Sequence, residues 1–330
     1  MTGSCAEESD GTATGSPPES PVLVVVGPTG VGKSEFVLLA CDRLNGELVS
    51  VDSMQVYRGL DLGTAKPDAP TRARVRHHGI DLAPPGSDFS LGDFVRFSER
   101  VIEDIWKRGR LPILVGGTGL YLRGLLKGIV DAPRRDEAIR RRLRSREQER
   151  GPGYLHRMLL RVDPEAGRRL PVRDRQRIVR ALEVYFKSRR GLSERIREAP
   201  FGPDRYRSVK IGLSMDREVL YRMTDARVVR FFEAGLVDEV RGLLAAGLAP
   251  ESNALKALGY REVMSHLRGE ISLEEAISST QRNTRRYAKR QWTWFRREEG
   301  VTWFNIDPSR VDRFAGPLEF AARELGRGFP

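Results

Sequence analysis

Residues 22–34 read VLVVVGPTGVGKS, five consecutive apolar residues breaking into a glycine-rich turn that ends in a lysine and a hydroxyl. A short apolar run closed by glycine has the length of a buried strand, and GPTGVGKS satisfies the G-x-x-x-x-G-K-[ST] phosphate-loop pattern in full. Such a loop works only between a strand and a helix, and residues 33–44 carry the helix. The eight loop residues Gly27, Pro28, Thr29, Gly30, Val31, Gly32, Lys33 and Ser34 are therefore expected to hold phosphate. The glycines let backbone N–H groups close around phosphate oxygens and the helix N-terminus adds its dipole. Lys33 neutralises charge, and the Ser34 hydroxyl can ligate Mg2+. The motif identifies a di- or triphosphate without naming what is attached to it.

The punctuation that follows is that of an α/β protein. ELVSVDS reads as a second strand, residues 92–108 as an amphipathic helix, and LPILVGG as a third strand, so the sheet is expected to be parallel and doubly wound. Ligands of such sheets gather at the carboxyl ends of the strands, where Gly27, Asp52 and Gly116 all fall. After Val130 the composition changes. Residues 136–190 read as polar, arginine-rich helices separated by GPG and DP. SVKIGLSM returns briefly to the sheet pattern, and amphipathic helices follow at 216–234, 236–246, 255–267 and 273–297. The expected architecture is a P-loop-type parallel sheet core with flanking helices and an inserted helical domain. Its divisions are a disordered leader at 1–20, a first core part at 21–130, the insertion at 131–200, and a second core part at 201–330.

The 57 lysines and arginines outnumber the 45 acids and give a net charge of +12, which favours an extended polyanion such as nucleic acid as a partner. Two cysteines cannot build a disulfide framework or a cysteine-rich zinc site, which suits the cytoplasm. No apolar run approaches the roughly 20 residues of a membrane helix. The leader lacks the apolar core of a signal peptide.

Two further stretches bear on chemistry. In VDSMQVYRGLDLGTAKP, Asp52, Ser53, Gln55 and Tyr57 form a polar cluster at a strand end, where Asp52 is equally well read as a reactive carboxylate or as the cap of the following turn. QRNTRRYAKRQWTWFRR, residues 281–297, sets seven cations among four aromatics without one acid, a composition suited to RNA phosphates and bases. Trp292 and Phe295 are expected to be buried and most of the cations to face nucleic acid.

Taken together and in this order, GPTGVGKS, VDSMQVYRGLDLGTAKP, HHGIDL, LVGGTGLYL, RDRQRIVRALEV, ALGYREV and TRRYAKRQWTWFR resemble the tRNA dimethylallyltransferases, over about residues 22–305. The resemblance implies that the loop, with Arg227, holds the diphosphate of dimethylallyl diphosphate, and that Lys33 and Mg2+ on Ser34 stabilise it as it leaves. It implies transfer of the dimethylallyl group to the N6 amine of the adenosine just 3′ of the anticodon, with Asp52 as base and Thr118 beside the flipped adenosine. It also implies tRNA contacts at Asp52, Ser53, Met54, Gln55 and Thr118, and at Asp174, Arg175, Gln176 and Arg177 of the insertion. Further contacts are implied at Gly259, Tyr260, Arg261, Arg285, Arg286, Lys289, Arg290, Gln291, Trp294 and Arg296. It implies action on the anticodon stem-loop, and a monomer is expected. The chain departs from the family pattern at DRQR, where a proline commonly follows the aspartate, at Gly79, where an apolar residue is usual, and at Met223, where an arginine is common. It lacks the zinc finger of eukaryotic members and so resembles a bacterial form. Residues alone leave open a kinase using the same loop for ATP, or a non-catalytic RNA-binding ATPase in which Asp52 is only a cap.

Overall fold

In the computed structural model the described residues are 20–198 and 202–326, and the expected leader lies outside them apart from Ser20. The opening run forms β1 (Val22–Val26), buried throughout. Then come α1 (Lys33–Leu44), β2 (Gly46–Ser50), α2 (Ala69–Arg74), β3 (His77–His78), α3 (Leu91–Lys107), β4 (Leu111–Val115) and α4 (Gly119–Lys127). Ser90 starts α3 with a capping box shared with Asp93, which satisfies orphan N–H groups at the helix start and places Phe94, Ile102 and Ile105 inward.

Residues 127–203 form a compact unit of their own, containing α5 (Glu137–Arg150), α6 (Tyr154–Val162), α7 (Pro164–Arg169), α8 (Arg175–Ser188) and α9 (Leu192–Glu198). The helices are polar outside and close on Leu143, Leu155, Leu159, Ile178 and Leu182. Glu183 is fully buried within this unit, and Arg140 and Arg180 compensate its charge at 2.8 and 2.6 Å.

The remaining unit resumes with β5 (Ser208–Ser214), α10 (Arg217–Glu233), α11 (Leu236–Ala245), α12 (Tyr260–Leu267), α13 (Leu273–Phe295), β6 (Val301–Asn305) and α14 (Ala315–Leu325). The helix expected at 255–267 is shorter, because the chain turns through Gly259 before α12 begins. Strand β6 and helix α14 lie beyond the last element expected from the sequence, the helix at 273–297.

Among the described residues the strands form one parallel sheet in the order β3-β2-β4-β1-β5-β6. Alternate β1 residues feed opposite faces. Leu23 and Val25 pack with Phe36 and Val37 of α1, while Val22, Val24 and Val26 join Phe94 and Ile102 of α3 and Leu125 of α4. Each fully buried aliphatic side chain contributes about 1.5–3 kcal/mol to holding these layers. The chain leaves β1 toward β2 on one side and reaches β5 on the other, so β1 and β4 flank the switch point of the sheet. Val25 is level with Val115, and Val115 with Ser50, which brings the loops after β1, β2 and β4 to one edge.

Candidate active site

The loop after β1 carries backbone geometry that side chains resist. Gly27 has φ of 146°, and a Cβ there would lie 2.4 Å from the carbonyl oxygen of Leu213. Gly32 starts α1 without any side-chain cap, leaving the first helical N–H groups available to an anion. Lys33 Nζ folds back over the loop and donates to the carbonyls of Gly27 and Pro28 at 2.9 and 2.8 Å. Burial, with Arg227 nearby, brings its ammonium down to about 7, against the opposing pull of Asp52.

Thr29 is tethered from two helices. Its N–H donates to Gln291 Oε1 of α13 at 2.8 Å, and its hydroxyl accepts from Arg227 of α10. Arg227 lies against the Phe231 ring, and burial lowers its guanidinium to about 10. Its Nε is buried without a hydrogen-bond partner among the described residues. Two poorly solvated cations therefore converge on the loop, an arrangement that an anion relieves.

Across the switch point, Asp52 Oδ1 accepts from the N–H groups of Met54 and Gln55 at 2.8 and 3.3 Å, so this oxygen does cap the turn. Its Oδ2 takes no hydrogen bond among the described residues. Burial raises the carboxyl above its ordinary value, against the backbone N–H groups and Lys33. Thr118 Oγ1 accepts from Ser53 N–H at 3.1 Å and ties the turn after β4 to that after β2. Gln55 spends its amide on Ser50 and Thr64, and Met54 packs partly into an apolar cluster. The long loop beyond is pinned by Lys66, whose side chain is 1% exposed and whose Nζ reaches Tyr57 O, Asp61 and Asp81.

Several of the residues expected to contact RNA are buried or have partners within the protein. Tyr260 is 0% exposed in the core with Val56, Leu60 and Val240, and its hydroxyl donates to Glu239. Gly259 N–H donates to Glu262, and Arg261 is exposed but paired with Glu262 at 2.6 Å. Gln291 is 4% exposed and faces inward. Arg285 pairs with Asp225. Trp292, expected to be buried, is half-buried 5.1 Å from the Trp303 ring, while Phe295 is buried as expected. Arg296 lies over Trp292.

The outward face of α13 remains basic. Arg286, Lys289, Arg290, Thr293 and Trp294, with Arg297 beyond the helix and Arg123 of α4, line an open groove of about 570 Å³. Arg286, Lys289, Arg290 and Arg297 have no ion pair among the described residues. The Arg123 guanidinium stacks 4.5 Å from the Trp294 ring. Arg297 was legible as a continuation of the helical stripe from Arg286, but nothing in sequence points to Arg123. In the separate unit, Asp174 caps α8 through Arg177 N–H, and Arg175, Gln176 and Arg177 are exposed. Met223 is exposed on α10 and is not a core contact.

Ser34 has an exposed hydroxyl at the start of α1. No group of three or more His, Cys, Asp or Glu able to hold a metal ion occurs among the described residues, and none of their helices is long and apolar enough to cross a membrane.

The chain is similar to proteins of one family. A family model described as IPP transferase matches residues 55–298. A tRNA dimethylallyltransferase of Solibacter usitatus is 48% identical over 307 residues, covering 93% of this chain and all of that one. Another, from Geobacter metallireducens, is 48% identical over 291 residues, covering 88% of this chain and 94% of its own. The crystal structure of a full-length tRNA isopentenylpyrophosphate transferase from Bacillus halodurans superposes with a TM-score of 0.68 at 40% identity, covering 93% of this chain and 97% of that one. A eukaryotic dimethylallyltransferase acting on tRNA gives 0.79 at 27% identity, covering 94% and 81%. The chain belongs to the IPP transferase family.

Proposed function

We propose that this protein transfers the dimethylallyl group of dimethylallyl diphosphate to the N6 amine of the adenosine 3′-adjacent to the anticodon of tRNA. The observation that carries the reading is the facing of two unlike devices across one switch point. Lys33 and Arg227 converge on a phosphate loop, and Asp52 presents a partly desolvated carboxylate with a free oxygen. One suits a departing diphosphate and the other a proton leaving an amine.

The N6 lone pair forms a bond to C1 of the donor while the C1–O bond breaks, its electrons passing to the diphosphate. The N6 proton passes to Asp52, which makes a nucleophile of an amine whose lone pair is delocalised into the adenine ring. Lys33, Arg227 and the loop N–H groups suit the charge that develops on the leaving group. The exposed Ser34 hydroxyl would supply a protein ligand to a Mg2+ ion, which would add neutralisation of the leaving group. Thr118, bonded to the Ser53 N–H beside Asp52, stands on the acceptor side. An adenine inside a stacked loop has to leave the stack to react. The unpaired cations of α13 suit the backbone of the anticodon stem-loop, and Arg175, Gln176 and Arg177 offer a second exposed set. The phosphate loop, Arg227 and Asp52 come from one chain, which supports a monomer as the working unit, and a tRNA substrate supports a place in the cytoplasm.

Against a kinase or ATPase stands the end of β4, which runs into Gly116, Gly117 and Thr118 rather than into a metal-binding aspartate. Mass spectrometry of nucleosides from tRNA incubated with protein, dimethylallyl diphosphate and Mg2+ tests the proposal. The expected product is N6-dimethylallyladenosine, and unmodified adenosine with folded, tRNA-bound protein overturns the reading.

A further inference from the structure

We infer that Gln291 is a positioning residue for this transfer, holding the donor loop and the acceptor-side turn at one fixed separation. The inference rests on the reading of residues 27–34 as the donor diphosphate site. The Gln291 carboxamide bridges the two: Oε1 accepts from Thr29 N–H at 2.8 Å, and Nε2 donates to the carbonyl of Gly117 at 3.1 Å. The two partners dictate which way round the amide sits, since an N–H must face its oxygen and a carbonyl its nitrogen.

Each partner leads directly to a reacting group. Thr29 receives the Arg227 guanidinium on its hydroxyl, within the loop that Lys33 closes. Gly117 precedes Thr118, whose Oγ1 accepts from the N–H next to Asp52. A Cβ on Gly117 would lie 1.9 Å from Gln291 Nε2, so the bridge requires glycine there. Gln291 is almost wholly buried, whereas Lys289 and Arg290 beside it are exposed. One turn of α13 thus presents cations outward and the bridging amide inward.

A bimolecular displacement depends on holding C1 of the donor near N6 in line, and a misplacement of about 1 Å can cost 10²-fold. The amide bridge sets that separation without touching either reacting atom. Its role is therefore distinct from RNA contact, which the family resemblance implied.

Two substitutions test this. Gln291→Met keeps the length and removes both hydrogen bonds. Gln291→Glu keeps the volume and the acceptor for Thr29 N–H but replaces the donor to Gly117, and it serves if the methionine variant does not fold. In the folded variants the affinity for an anticodon stem-loop should stay within about twofold of wild type, because the outward cations are intact. The KM for dimethylallyl diphosphate should rise about 3- to 10-fold and the single-turnover rate at saturating substrates fall about 10- to 100-fold. A purely structural role would lower the melting temperature and leave both constants of the folded protein unchanged, and that result overturns the inference. If wild-type protein neither binds inorganic pyrophosphate nor transfers the prenyl group, it is the donor reading that fails.

Discussion

Arg285 of α13 pairs with Asp225 of α10, which separates it from Arg286, its neighbour in sequence, on the open basic face. Neutralising Lys289 and Arg290 together should reduce the slope of log K against log salt for anticodon stem-loop binding by roughly 1.4–1.8, two contacts at about 0.7–0.9 each. Arg285→Ala should leave that slope unchanged and cost about 1 kcal/mol or less in stability, since the pair is partly solvated. Anisotropy titrations at several salt concentrations, with thermal melts, give both numbers. An equal change of slope for Arg285→Ala would move the RNA onto the α10 side of the helix.

The Lys33 side chain binds its own loop and should act most as charge accumulates on the departing diphosphate. Lys33→Ala is expected to lower the single-turnover rate by about 10²–10³-fold, the scale of one lost transition-state donor. Affinity for tRNA should change less than twofold. A rate within threefold of wild type at saturating donor removes the loop lysine from the chemistry.

Asp52 combines a capping oxygen with one that takes no hydrogen bond, and asparagine can replace only the first. Asp52→Asn should fold, bind donor and tRNA, and lose about 10²–10⁴-fold in single-turnover rate. The pH dependence has a definite sign. The base works as carboxylate and burial raises its pKa, so the wild-type rate should climb with pH through an ionisation above the ordinary aspartate range near about 3.9. That limb should be absent from the asparagine variant. Persistence of the same limb in Asp52→Asn would assign it to another group.

Tyr260 belongs to the apolar cluster that supports the loop after Asp52, with Glu239 joining its hydroxyl to the N–H groups of Asp61 and Leu62. Tyr260→Phe should cost about 1 kcal/mol, one partly buried hydrogen bond, and leave stem-loop affinity at the wild-type value. Tyr260→Ala should cost about 3–5 kcal/mol through the cavity it opens. Calorimetric melts and binding titrations distinguish this from an RNA contact, for which Tyr260→Phe would melt normally and bind more weakly.

The sequence by itself determined the phosphate loop, the parallel core, the polar helical insertion and the family, because each depends on short-range rules. A strand–glycine–lysine run imposes its own backbone conformation, and helix faces repeat over a few residues. It also placed Asp52 at a strand end but could not choose between cap and base; Oδ1 caps the turn, and Oδ2 takes no hydrogen bond among the described residues. Tertiary structure alone decided the direction in which polar residues of the acid-free helix point. Arg285 turns to an acid 60 residues away, and Gln291 reaches a loop amide 262 residues earlier. Tyr260, expected among the RNA contacts, is instead drawn into the core, where the half-buried Glu239 of helix α11 accepts from its hydroxyl. Buried polar groups need partners, and when those partners lie on distant elements, local periodicity holds no record of them.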